Sequence, residues 1–342
     1  MQSRYRFRTV PAFFFGGVSP QKKSDYVQSH SDKIDFNTSD SWVIMSEIEQ
    51  SIKGKIEAVG IPLRDWDIQI NYGIKTGYND AFVITTDKRD EILANCQNDE
   101  ERARTSEIIR PILRGRDIKR YGYDWAGLWL IYVPWHFPLH KDTTIQGASE
   151  KAEKAFMEQY PAVYQHLLHY KEQLSARNKA ETGIRYEWYA MQRWGANYSD
   201  DFNKPKIVYM EIQTDNPESG FPFPCYSFDE NKNITLNTAY ILTSNTVDIR
   251  YILGILNSST GRVLTKLYVT QLQERQFRML AQYVCNFPIP KANIQVIGEI
   301  VQLVITRLQG GDKYIEKQID NKIYKLFGFS QKEILFIENR GN

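Results

Sequence analysis

The sequence predicts an α+β protein, a mixed sheet with flanking helices and a C-terminal helical tail. Three observations predict it. Helix-period segments alternate with short β-branched and aromatic runs between residues 46 and 243. Beyond Asp248 the pattern is helical almost throughout, interrupted by the extended Asn286–Pro290. A composition of 42% hydrophobic and 25% charged residues over 342 positions suits one large domain or two modest ones with a sizeable core.

Residues 1 to about 40 have no clean period and read as a linker. From Ser46, Ile48, Ile52, Ile56 and Val59 recur at helix spacing until Gly60 and Pro62 end the element. Asp67–Tyr72 alternates as a strand, the glycine turn Gly73–Gly77 follows, and Ala81–Ile84 is expected to return as the second arm of a hairpin. Thr86–Ala94 and Glu100–Ile109 read as helices, the second stopped by Pro111. Leu128–Val133 is a buried strand by composition, and Lys151–Tyr160 and Ala162–Arg177 are consecutive helices. Lys206–Ile212 and Tyr240–Thr243 are strand-like, Asp248–Asn257 is an amphipathic helix, and a further helical stretch starts at Gly261. Ile294–Leu308 and Asp312–Phe327 form a helical pair separated by Gly310-Gly311.

The net charge of +2 makes the chain no polycation, so nucleic-acid affinity requires a local patch. Three scattered cysteines, Cys96, Cys225 and Cys285, match no metal spacing or disulfide framework and fit a reducing compartment. No apolar run reaches the roughly 18 residues that span a bilayer. The basic start before Phe13–Phe15 lacks the long apolar stretch and cleavage site of a signal peptide, so a cytoplasmic protein is expected.

The chemistry-bearing pattern lies in Asn71–Tyr121. The turn Gly73-Ile74-Lys75-Thr76-Gly77-Tyr78-Asn79 lacks the GxxxxGK[ST] spacing of a P-loop. Its Lys75, Thr76, Tyr78 and Asn79 are candidates for a nucleic-acid backbone contact; the plain alternative is a turn whose glycines supply positive φ. From Arg102 to Arg120 seven basic residues face only Glu107 and Asp117. Pro111 and Gly115 should break the helix there and place Arg114, Arg116, Lys119 and Arg120 on a loop that neutralises phosphates. A solvated helix face, with Asp117 pairing a neighbouring arginine, is the alternative. A third segment, Arg185–Trp194, supplies Arg185, Gln192 and Arg193, residue types that read guanine or adenine edges. There the alternative is that Trp188 and Tyr189 are core. His166/His169 and His136/His140 lack partners for a zinc set, so no metal site is expected.

The Trp42-Val43-Ile44 segment, Lys55–Leu63, the Gly73–Phe82 turn, the Leu113–Tyr121 run, Tyr186–Gln192, Lys204–Ile207, Leu253–Ser258 and the tail Ile319–Phe329 together resemble one family. They are similar to the TaqI-like C-terminal specificity domain, the target-recognition half of type IIG restriction-modification enzymes and adenine-specific DNA methyltransferases. The resemblance implies a sequence-specific duplex-DNA recognition module over residues 41–290 with a helical tail over 291–342 that packs on it or on a partner. It also implies that residues 1–40 join a missing catalytic half, to which S-adenosylmethionine and Mg²⁺ would belong. The sequence has no Pro-Pro and so no [NDS]PP[YF] tetrapeptide, and no legible catalytic set. Catalysis by this chain alone is therefore not expected, and a methyltransferase or nuclease domain or subunit is the implied partner. A specificity subunit or docking protein acting through protein partners, and a degenerate methyltransferase, are the alternatives.

Overall fold

The computed structural model describes residues 45–216, 218, 222–273 and 275–339, with the backbone of 6–9 and 32–35. Arg6–Thr9 and Asp32–Asp35 pair as an antiparallel ribbon; the remainder of the 1–40 linker lies outside the described residues.

The organising element is a four-stranded antiparallel sheet in the order Tyr226–Asp229, Lys206–Met210, Ala239–Thr243, Gln69–Tyr72. Period-2 alternation divides its side chains between two cores. Ile207, Tyr209, Tyr226, Tyr240 and Leu242 point into a helical core. Val208, Ala239 and Ile241 point into a second core on the opposite face.

The helical core is built by Glu47–Val59, Ile249–Asn257, Ser259–Tyr268, Ile294–Leu308, Lys313–Phe327 and Gln331–Asn339. Their starts are fixed by side chains that satisfy otherwise unpaired N–H groups: Asp248, Asn293 and Asp312 accept from the first turns they precede. Ile52, Ile56, Ile300, Val304, Ile319 and Ile323 form the inward stripes, each worth roughly 1.5–3 kcal/mol of burial.

In the second core a smaller mixed sheet runs Ile234-Thr235, Ile109–Leu113, Leu128–Ile131, Val83–Thr85. It packs with Glu150–Gln159 and Pro161–Leu168 around Phe82, Phe156, Leu167 and Tyr189.

Three expectations change. Gln69–Tyr72 and Val83–Thr85 are not a hairpin: the helical turn Asn79–Phe82 buries Phe82 and delivers the second strand to the other sheet. The helix expected over Ala162–Arg177 breaks after Leu168 and resumes as Lys171–Ala176. The strand from Lys206 bends at Glu211, and Ile212–Thr214 joins a separate three-stranded sheet with Gln271–Gln273 and Gln276–Arg278.

Candidate nucleic-acid interface

Strand register decides which loops meet. Ala239 pairs Met210, and Tyr240 pairs Tyr72, so the exits of two strands and the entry of the strand between them share one end of the central sheet. The Gly73–Gly77 turn, Glu211, and Leu236–Thr238 therefore cluster there. Gly73 is required by this geometry, because a Cβ on it would fall 2.0 Å from the Leu236 carbonyl oxygen. Ile74 donates its N–H to Thr235 O at 2.8 Å, which fixes the turn against that segment.

Lys75 and Arg193 then form an antiparallel bridge. Each donates its N–H to the other's carbonyl at 2.8 Å. Residues paired this way sit about 5.5 Å apart at Cα with side chains on the same face. Both are exposed, and among the described residues neither side chain has a carboxylate at ion-pair distance. Like charges at cross-strand spacing repel in water by no more than about 1 kcal/mol. Water tolerates such a pair, while an anion placed between the two cations is attracted to both.

Arg177 holds this arrangement. Its guanidinium donates to the carbonyls of Thr76, Trp188 (3.0 Å) and Ala190 and lies 5.4 Å from the Phe82 ring centre. It thus ties the glycine turn to the segment that carries Arg193. Burial pushes it down to about 10, and it has no carboxylate partner at ion-pair distance among the described residues. Gly77, at φ +82°, passes so close that a Cβ would meet Arg177 Cδ at 3.0 Å.

Beside this pair runs an open groove of about 700 Å³, lined by Arg114–Arg116, Met210–Ile212, Leu236 and Thr238. Arg116 is exposed at its rim, without an ion pair among the described residues. Arg114 is not free. It grips Asp117 through two guanidinium bonds of 3.0 and 2.8 Å, and Asp117 accepts the Arg114 N–H at 2.9 Å. Burial alone would raise the Asp117 carboxyl, but these bonds outweigh it and hold it below its ordinary range. Glu211 receives Arg278 at 2.8 Å and the Tyr72 hydroxyl at 3.3 Å.

A match to the model of the TaqI-like C-terminal specificity domain covers residues 110–289, more than half of the chain. The chain belongs to that family. It is 24% identical over 262 residues to the type II methyltransferase M.MjaIV of Methanocaldococcus jannaschii, spanning 74% of this chain and 76% of that protein. The fold is similar to that of the type IIL restriction-modification enzyme MmeI, solved in complex with DNA. The TM-score there is 0.50 at 15% identity, over 91% of this chain and 39% of that one. The type IIG restriction endonuclease BpuSI aligns with a TM-score of 0.45 at 11% identity, over 82% of this chain and 33% of BpuSI. The chain thus spans about two fifths or less of the length of these solved enzymes.

Within this specificity domain the sequence-derived candidates separate. Lys75, Arg193 and Arg116 reach solvent at the same end of the sheet. Thr76 is buried and donates its hydroxyl to Asn79 Oδ1 at 2.6 Å, while Tyr78 packs at 6.1 Å from the Tyr170 ring. Arg120 pairs Glu316 at 2.8 Å on the helical tail, and Lys119 lies 3.9 Å from Asp124. Arg185 pairs Glu181 at 3.2 Å and lies over Trp135, and Gln192 is half-buried with its N–H on Thr76 O. The aromatics beside them are core: Trp188 donates to Glu153 at 2.7 Å and Tyr189 to Phe137 O at 2.9 Å. Arg110, also in the basic run, is a strand residue whose guanidinium donates to Asn203 and to the Lys232 carbonyl. Among the described residues no group of His, Cys, Asp and Glu could hold a metal ion, and no helix is long and apolar enough to cross a membrane.

Proposed function

We propose that this chain is the sequence-specific duplex-DNA recognition module of a restriction-modification system. The observation that carries the reading is the same-face Lys75–Arg193 pair, presented next to the Arg116 groove by loops that the sheet register gathers. Two cations within reach of one phosphate give affinity without sequence information. Membership in a specificity-domain family supplies the context, and the groove beside the pair is where base readout would begin.

In this reading the chemistry belongs to a methyltransferase domain or subunit, with or without a nuclease, which supplies S-adenosylmethionine and Mg²⁺ sites. That partner would flip an adenine into its own pocket while this module fixes register on the duplex. The absence of any Pro-Pro from the sequence supports the division.

The test is selection of bound duplexes from a randomised pool at two salt concentrations, followed by sequencing. Enrichment of one short asymmetric motif establishes recognition by this chain. Salt-sensitive binding without enrichment leaves a phosphate-binding module whose readout needs the catalytic partner. No binding at low salt overturns the reading.

A further inference from the structure

The three-stranded sheet that leaves the groove at Ile212 has no role in the phosphate-binding arrangement above. Its register assigns two unlike faces. Phe277 is paired with Gln213, and both are buried. Phe277 stacks on Phe223 with ring centres 5.4 Å apart. The Gln213 amide exchanges two hydrogen bonds with the Cys225 backbone, at 2.9 and 3.1 Å. Asp215, just past the end of the strand, donates its N–H to Arg275 O at 2.7 Å, while Lys266 and Arg262 hold its carboxylate. The inner face is therefore anchored rigidly in the domain.

The outer face carries Ile212 opposite Arg278, and Gln276 between Thr214 and Gln273. Gln273 is exposed and Gln276 half-buried, and their side-chain amides make no hydrogen bond within the described residues. Ile212, 40% exposed, belongs to this face and also lines the groove beside Arg116. The amide row is thus continuous with the cationic end of the central sheet.

We propose that this ribbon is the base-reading element, with Gln273 and Gln276 entering the major groove and reading adenine. The inference rests on the DNA-binding reading and deepens it. A two-stranded ribbon fits the major groove, and a glutamine amide matches the acceptor–donor pair of adenine N7 and N6. The anchored inner face supplies the rigidity that such readout requires.

The experiment compares Gln273→Ala/Gln276→Ala with the unaltered full chain on its selected duplex and on random duplex. Affinity for the selected site should fall roughly 10- to 100-fold, with random-duplex affinity and salt slope unchanged. Replacing adenine by 7-deazaadenine in the selected site should weaken the unaltered protein and leave the variant unaffected. Retention of the full preference by the variant overturns the proposal, and so does an equal loss on all sequences, which would make the ribbon a backbone contact. Duplex binding without any preference by the unaltered chain removes the ribbon's role and leaves the DNA-binding reading standing. No binding at all overturns both. Thermal melting checks that the variant folds.

Discussion

The Arg102–Arg120 run and the Lys75–Arg193 pair are opposites. The run is the densest positive segment of the sequence, yet most of its charge is engaged inside the protein. Arg110 serves a carbonyl and an asparagine, Arg114 is held by Asp117, and Arg120 by Glu316. The pair comes from two separate segments with far fewer basic residues and, among the described residues, has no carboxylate at ion-pair distance at its sheet end. Charge density along a chain is therefore a poor measure of charge available to a ligand. What matters is whether the fold supplies a carboxylate or carbonyl first.

The sharpest way to break this contrast is Arg177→Ala. It leaves the carbonyls of Trp188 and Ala190 without a donor and that of Thr76 with only the Gln192 N–H, so the glycine turn is held less firmly. A loss of roughly 2 kcal/mol is expected from two unsatisfied, partly buried acceptors, read as a shift in the urea midpoint. DNA affinity should fall with it, because the Lys75–Arg193 bridge would be left with only its two backbone bonds to hold the segments together. Unchanged stability would show that the turn is fixed by its glycines alone.

A pH experiment separates the helical core from the interface. Glu333 accepts Lys55 Nζ at 2.7 Å, Ser51 Oγ at 2.7 Å and the Ser330 N–H at 2.6 Å, joining the last helix to the first. Burial opposes the ionised form, but these bonds outweigh it and hold the carboxyl at about 2. A folded value below the ordinary range near 4.3 gives stability that is complete above about pH 5 and is lost as pH falls toward 2. Glu333→Gln should cost about 2 kcal/mol at pH 7 and little at pH 2.5. Partial exposure of Lys55 keeps the figure below the full linkage value. The proposed phosphate contacts involve none of these groups, so substituting them should leave the acid limb unchanged.

The helical half was legible because its signals are local. Ile249–Asn257, Ile294–Leu308 and Lys313–Phe327 combine a 3.6-residue apolar stripe with Asp248, Asn293 or Asp312 at their starts. The site was legible residue by residue and not as an arrangement. Lys75, Arg193 and Arg116 stand out as basic residues in loops, but only sheet register brings them to one end. Arg177 reads as the close of a helix, with nothing nearby in sequence to announce three distant carbonyl partners. The Gln271–Arg278 ribbon escapes periodicity because its inner face is reduced to Phe277 and a buried glutamine on the neighbouring strand. The Val83–Thr85 strand is visible in the sequence but its partner is not, since a short apolar run does not say which sheet it joins.

The next effect concerns binding alone. Lys75→Ala/Arg193→Ala should leave stability unchanged, or raise it by a few tenths of a kcal/mol as the repulsion between the two cations is removed. The slope of log affinity against log salt should flatten by about 0.9 if the two hold one phosphate, and by about 1.8 if each holds its own. A titration between low and moderate salt reads this directly, and an unchanged slope would remove the pair from the interface.

The smallest effects are the most discriminating, because two neighbours should respond in opposite ways. Arg116→Ala removes an exposed cation from the groove rim, so stability should hold while the salt slope drops by about 0.9. Arg114→Ala removes the partner of buried Asp117, whose carboxylate would keep only the Arg114 backbone N–H. That variant should lose about 1–2 kcal/mol of stability. Its salt slope should not change, since a guanidinium already bound by two bonds to a carboxylate has little charge to offer a phosphate. Should Arg114→Ala instead flatten the slope while Arg116→Ala leaves it intact, the Asp117 pair must open on DNA, and the basic run would be a reserve of charge released by the ligand.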